Sequence, residues 1–102
     1  MVICFDFDGT IDDIDLHRLA AKMIREKNEV WIVTARRENE HSKGVVKKVI
    51  DRLGISEYQV IYCNEKPKWE ILKGLNADIY IDNITDEFDA LKAHSNVIPL
   101  LW

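Results

Sequence analysis

Two aspartates one residue apart, Asp6 and Asp8, follow the apolar run Val2 to Phe5 and precede Gly9 and Thr10. A carboxylate fixed at a strand end can attack phosphorus in line. A second one, two residues on, can protonate the leaving oxygen and later take a proton from water. Thr34, Lys66, Asp82 and Asp86 stand at or shortly past the carboxyl ends of three further apolar runs. Phosphoryl transfer needs a positioned nucleophile, proton management and neutralisation of charge on the equatorial oxygens, and these residue types supply all three. Asp6 is therefore the expected nucleophile and Asp8 the expected acid and base.

Carboxylates alone would repel a phosphate dianion, so the set calls for a hard divalent cation, and Mg²⁺ accepts few protein carboxylates beside substrate oxygens. Asp6 and Asp82 are the expected ligands, with the Asp8 carbonyl as a further oxygen. Asp86 is expected behind them, with water-mediated or direct ligation open, and Asn83 as an orienting group. Thr34 offers a hydroxyl and an N–H to a phosphoryl oxygen. Lys66 offers a point charge, held in the loop because it precedes Pro67, and Lys68 is its rival. Gly9, Thr10, Ala35 and Arg36 are expected on the substrate side.

The elements that must position these residues are short. Val2 to Phe5, Val30 to Val33, Gln59 to Cys63, Asp78 to Ile81 and Val97 to Leu101 are rich in β-branched and aromatic residues, which predicts five strands. Leu16, Leu19, Ala20, Met23 and Ile24 share one helical face, as do Val45, Val46, Val49, Ile50 and Leu53. Pro67 suits the first position of a third helix, and Thr85 the cap of a fourth. Strands alternating with helices imply parallel pairing and a doubly wound α/β sandwich, with ligands beyond the carboxyl ends of the strands.

At 102 residues the chain is expected to form one domain, residues 1–102, and the sequence carries no repeat or linker. Fourteen Lys and Arg against eighteen Asp and Glu give a net charge of -4, which disfavours nucleic acid as a partner. No apolar run is long enough for a membrane span, and a cytoplasmic location is expected. Cys4 and Cys63 lack metal-site spacing and are expected to be buried thiols. His17, His41 and His94 are isolated and expected in surface or partly buried positions. Trp31, Trp69 and Trp102 are expected to pack.

FDFDGT at Phe5 to Thr10, VTAR at Val33 to Arg36, KP at Lys66 and Pro67, and IDNITD at Ile81 to Asp86 resemble, in order and spacing, the four motifs of the haloacid dehalogenase superfamily. The resemblance spans nearly the whole chain. It implies a three-layer sandwich whose five-stranded parallel Rossmann-like sheet runs 5-4-1-2-3, and a Mg²⁺-dependent phosphatase working through a phosphoaspartate on Asp6. Two departures stand out. Only Ile11 to Asp15 separates Thr10 from the first helix, leaving little room for a flap, and Arg37 to Gln59 leaves no room for a cap domain. Such open sites in the family act on phosphosugars, nucleotides, or phosphorylated polynucleotide or protein groups, and a neighbouring copy in a homo-oligomer could shield this one.

Two other functions compete. A receiver-type signalling domain also phosphorylates an aspartate on a parallel sheet, but its acceptor usually ends the third strand. A binding or assembly protein could keep the fold with weak turnover. Asp8 argues against the dehalogenase reaction itself, which needs neither a second aspartate nor Mg²⁺.

Overall fold

The computed structural model describes all 102 residues, Met1–Trp102. The strands are β1 (Val2–Phe5), β2 (Glu29–Thr34), β3 (Val60–Tyr62), β4 (Ile79–Asp82) and β5 (Ile98–Leu101). The helices are α1 (Ile14–Arg25), α2 (Glu40–Leu53), α3 (Trp69–Gly74) and α4 (Phe88–His94). All strand pairs are parallel and the order is β3-β2-β1-β4-β5, the expected order read from the opposite edge. The fold is a Rossmann-like α/β sandwich with β1 at the centre of the sheet.

Side-chain alternation divides the core into two layers. Ile3, Phe5, Val30, Ile32, Val60 and Ile81 meet Leu16 and Ala20 of α1 and Val46, Val49, Ile50 and Leu53 of α2. On the other face, Cys4, Val33 and Tyr80 meet Leu72 of α3 and Phe88 and Leu91 of α4. A fully buried Leu or Ile contributes about 1.5–3 kcal/mol, so these interdigitated layers hold the sheet between its helices. Both cysteines lie buried as free thiols, and burial pushes Cys4 up to about 12, far from the reactive thiolate range.

Local chemistry sets the helix ends. The Asp13 carboxylate accepts from the N–H of Asp15 at 2.9 Å and starts α1, with Asp15 in its first turn. The Asn39 side chain starts α2 by accepting from Ser42 at 2.9 Å, and Gly54, at φ 70°, ends it. Pro99 occupies the edge strand β5 with its missing N–H turned away from β4, where it removes a donor from the free edge. No helix is long and apolar enough to cross a membrane.

Four expectations shift. The third helix begins at Trp69 rather than Pro67, because Lys68 takes the cap position. The fourth begins at Phe88, and no Thr85 side chain caps it; only the Thr85 carbonyl contributes, accepting from Phe88 N–H at 3.0 Å. His17 is more deeply buried than the surface or partly buried position expected, with Nε2 2.6 Å from the Ile11 carbonyl, which ties α1 to the turn before it. Trp102 is exposed beyond the last strand. Between β1 and β2 the chain makes only a five-residue turn, Phe7–Ile11, and α1. Between β2 and β3 it makes only α2 and the short 3₁₀ turn Glu57–Gln59.

Candidate active site

Asp6 leaves the end of β1 with its N–H bonded to the Ile81 carbonyl of β4 at 2.9 Å, so the two central strands fix its backbone. The turn after it is closed by Ile11 N–H donating to the Asp6 carbonyl at 3.1 Å. Gly9 makes this turn possible: its φ is 77°, and an added Cβ would run into the side-chain amide of Asn83. The turn folds Thr10 back over Asp6, and the threonine hydroxyl donates to Asp6 Oδ2 at 3.3 Å while accepting from Asn83 N–H at 3.1 Å. Asp6 is thus almost wholly withdrawn from solvent, yet stands at the carboxyl edge of the sheet.

The cation that faces it is Lys68. Its Nζ donates to Asp6 Oδ1 at 2.5 Å and to Tyr80 Oη at 2.8 Å, and lies 3.8 Å from Asp82 Oδ2. Lys66, the lysine expected here, is exposed and makes no ion pair. Backbone geometry makes the choice between them. Asn64 and Glu65 both have positive φ, 53° and 65°, and turn the chain outward just after β3. Then Glu87, from the loop after β4, accepts the N–H groups of Lys68 and Trp69 on Oε1 at 2.8 and 2.9 Å. That carboxylate caps α3 from another segment and aims Lys68 inward.

Asp82 ends β4 beside Asp6 and is as deeply buried. Its Oδ2 accepts from the Tyr80 hydroxyl at 2.5 Å and its Oδ1 from Ile84 N–H at 3.0 Å. Asp86 is not brought to this cluster. The turn that starts at Ile84 sends it into solvent, and it is the next residue, Glu87, that points inward. Thr34 is fully buried at the end of β2, but its hydroxyl accepts the Arg36 N–H at 3.2 Å and makes no hydrogen bond to Asp6 or Lys68. Ala35 is exposed at the start of the next loop, its carbonyl accepting from Glu65 N–H at 2.7 Å.

Asp8 lies on the solvent side, where Arg36 grips it in a two-pronged pair, Nη2 to Oδ1 at 2.8 Å and Nε to Oδ2 at 2.9 Å. The guanidinium also sits 5.5 Å above the Phe7 ring, and the hydrogen bonds to Asp8 push the already high Arg36 pKa higher. Asp8 and Arg36 therefore pair on the solvent side, while Asp6, Lys68, Tyr80 and Asp82 form a buried cluster.

Burial dominates the electrostatics of that cluster. It raises the Asp6 pKa, an effect that Lys68 opposes and Asp82 reinforces. Burial and the Asp82 hydrogen bond together hold the Tyr80 phenol far above its ordinary range, so it keeps its proton. A carboxyl group raised in the fold adds stability fully present below its unfolded pKa of about 3.9, and that stability is lost as pH rises through the folded value. In chelator, the melting temperature of Asp6→Asn minus that of wild type should therefore climb as pH rises from about 4. Thermal melts across pH check this, and a flat difference would mean that Asp6 titrates at its ordinary value.

The donor chemistry fits a hard divalent cation, although no three His, Cys, Asp or Glu side chains converge as a ready-made site. Asp6 and Asp82 supply two buried carboxylates, the small number that Mg²⁺ takes from protein. With its nitrogen turned inward, the Asn83 amide reaches the Asp8 carbonyl at 3.2 Å and Asp82 Oδ1 at 3.1 Å. These two oxygens, both expected as ligands, thus converge on a single hydrogen-bond donor.

Comparison with family models and with curated proteins returns no match for this chain. Two features of the site, Tyr80 and Glu87, escaped sequence reasoning, and the choice between two lysines was left open. Tyr80 could have been found, because it lies two residues before Asp82 and so on the same face of β4. Lys68 entered only as a rival, and nothing in the sequence marks Glu87 as the side chain that places it.

Proposed function

We propose that the chain is a Mg²⁺-dependent phosphomonoesterase of the haloacid dehalogenase type, forming a phosphoaspartate on Asp6. The observation that carries this reading is that Asp6 and Asp82, from adjacent central strands, flank the single buried ammonium of Lys68. Asp6 Oδ2, held by Thr10, is the attacking oxygen; it bonds to phosphorus as the ester oxygen departs. Asp8 gives that oxygen its proton, then takes one from the water that cleaves the acyl phosphate. Lys68 neutralises charge on Asp6 and on the transferring group. Magnesium, when bound by Asp6, Asp82 and the Asp8 carbonyl, supplies further neutralisation of the phosphoryl oxygens.

Arg36 is the substrate-side residue in this reading: it holds Asp8 in place before binding and meets the phosphoryl group at the mouth. Arg36→Ala should lower kcat/KM by ~10–100-fold, the worth of charge-assisted hydrogen bonds. Stability should move by less than about 1 kcal/mol, because Asp8 is largely solvent-exposed. The same pair favours a second reading, a binding or assembly protein of slow turnover in which Arg36 keeps Asp8 from acting. In that case Arg36→Ala would raise the rate.

The substrate class spans phosphosugars, nucleotides, and phosphorylated polynucleotide or protein groups, with a second copy of the chain as a shield for the open mouth. The deciding experiment is phosphate release from an aryl phosphate and from one member of each class, with Mg²⁺ or with chelator. Release that requires Mg²⁺ supports the reading and ranks the substrates. Inertness towards all of them overturns it.

A further inference from the structure

Tyr80 is a fully buried residue in the middle of charged chemistry, and the reaction as derived above gives it no part. A buried phenol needs hydrogen-bond partners, and this one has two. It spends its single proton on Asp82 Oδ2, 2.5 Å away, so the contact at 2.8 Å with Lys68 must be one in which the ammonium donates. The direction of the network is therefore fixed: Lys68 donates to Asp6 and to Tyr80, and Tyr80 donates to Asp82. All four groups belong to one connected buried set in which no polar atom is left over.

The distances give the phenol a specific task. Lys68 Nζ is 2.5 Å from Asp6 but 3.8 Å from Asp82 Oδ2, and the Tyr80 oxygen bonds to both the ammonium and that carboxylate. Without that oxygen, an ammonium in a buried, low-dielectric setting would be drawn the last ångström onto Asp82. A direct Lys68–Asp82 pair would then compete with any cation for Asp82.

We propose that Tyr80 is a positioning residue that keeps the Lys68 ammonium off Asp82, so that Asp82 stays available to a divalent cation while Lys68 stays on Asp6. This rests on the phosphomonoesterase reading. It extends that reading by naming a side chain that sets metal affinity without touching the metal or the substrate. Partners of metal ligands typically change affinity by ~10–100-fold when removed, which sets the size of the expected effect.

The test is Mg²⁺ binding, measured by calorimetry on wild type, Tyr80→Phe, Lys68→Met and the double variant, with phosphate release run in parallel. Tyr80→Phe should bind Mg²⁺ ~10-fold more weakly than wild type, and part of its lost activity should return at high Mg²⁺. The same substitution should have no effect on Mg²⁺ binding in the Lys68→Met background, where no ammonium is left to restrain. Equal Mg²⁺ affinity in wild type and Tyr80→Phe, with both releasing phosphate from the ester, would overturn the role of Tyr80 and leave the phosphomonoesterase reading standing. A wild type that neither binds Mg²⁺ nor releases phosphate overturns both. Should Tyr80→Phe fold poorly, wild type labelled with ¹³C at the tyrosine ring gives the answer: the Tyr80 resonance must move on Mg²⁺ addition, and a resonance that stays still overturns the proposal.

Discussion

Asp6→Asn should release phosphate at least ~10³-fold more slowly than wild type at saturating Mg²⁺, because a residue acting within a coupled reacting set leaves little behind when it is removed. The substitution is nearly isosteric. The amide oxygen can still accept from Lys68, which reaches Oδ1 in wild type at 2.5 Å, and the amide nitrogen can donate to the Thr10 hydroxyl, which lies 3.3 Å from Oδ2, so the fold is preserved. What is lost is the anionic oxygen that, in the proposed reaction, bonds to phosphorus. Quenching wild type in acid during turnover should trap label from a phosphorylated substrate on the peptide containing Asp6, and Asp6→Asn should trap none. Activity within tenfold of wild type would place the nucleophile elsewhere, with Asp82 the next carboxylate to test.

The second large effect separates two lysines that stand two positions apart. Lys68→Met keeps an unbranched side chain of similar length and removes only the ammonium, and it should lower kcat by ~10²–10³, as loss of a preorganised charge at a transition state does. Lys66→Ala should stay within about twofold, because Lys66 is exposed and pairs with nothing. Lys68→Met should also lower the melting temperature at neutral pH, since removing one member of a buried ion pair leaves the other uncompensated, a cost of about 3–5 kcal/mol. Parallel kinetics and melts on the two variants decide the matter. If Lys66→Ala were the damaging change, the loop after β3 would have to rearrange in the working state.

That contrast also marks how far the sequence could be read. The β-branched runs and the two helical stripes identified the strands and the longer helices, because burial on a sheet face or helix face leaves a period that composition alone reveals. The positions of Asp6, Asp82 and Thr34 at strand ends followed from those runs, and the strand order matched the one implied by the motif resemblance. The lysine was not legible. Its choice depends on positive φ at Asn64 and Glu65 and on a carboxylate nineteen residues further on, and neither leaves a periodic signal. Asp86 misled for the same reason. In an acidic turn, one residue's difference decides which side chain faces inward, and here that side chain is Glu87, serving α3.

The place of β1 in the sheet bears on how the protein comes into being. Its pairing with β2 joins Ile3 to Val30, but its pairing with β4 joins Ile3 to Ile79 across most of the chain. Closing the longer loop costs about 1 kcal/mol more than closing the shorter, and such distant pairings form late. During synthesis, the first strand emerges with Asp6 at its end before the segments that carry Lys68, Tyr80 and Asp82 have been translated. Recovery of phosphate release in a refolding experiment should therefore lag the appearance of helical signal from α1 and α2. Turnover would report completion of the whole sheet rather than of any early intermediate.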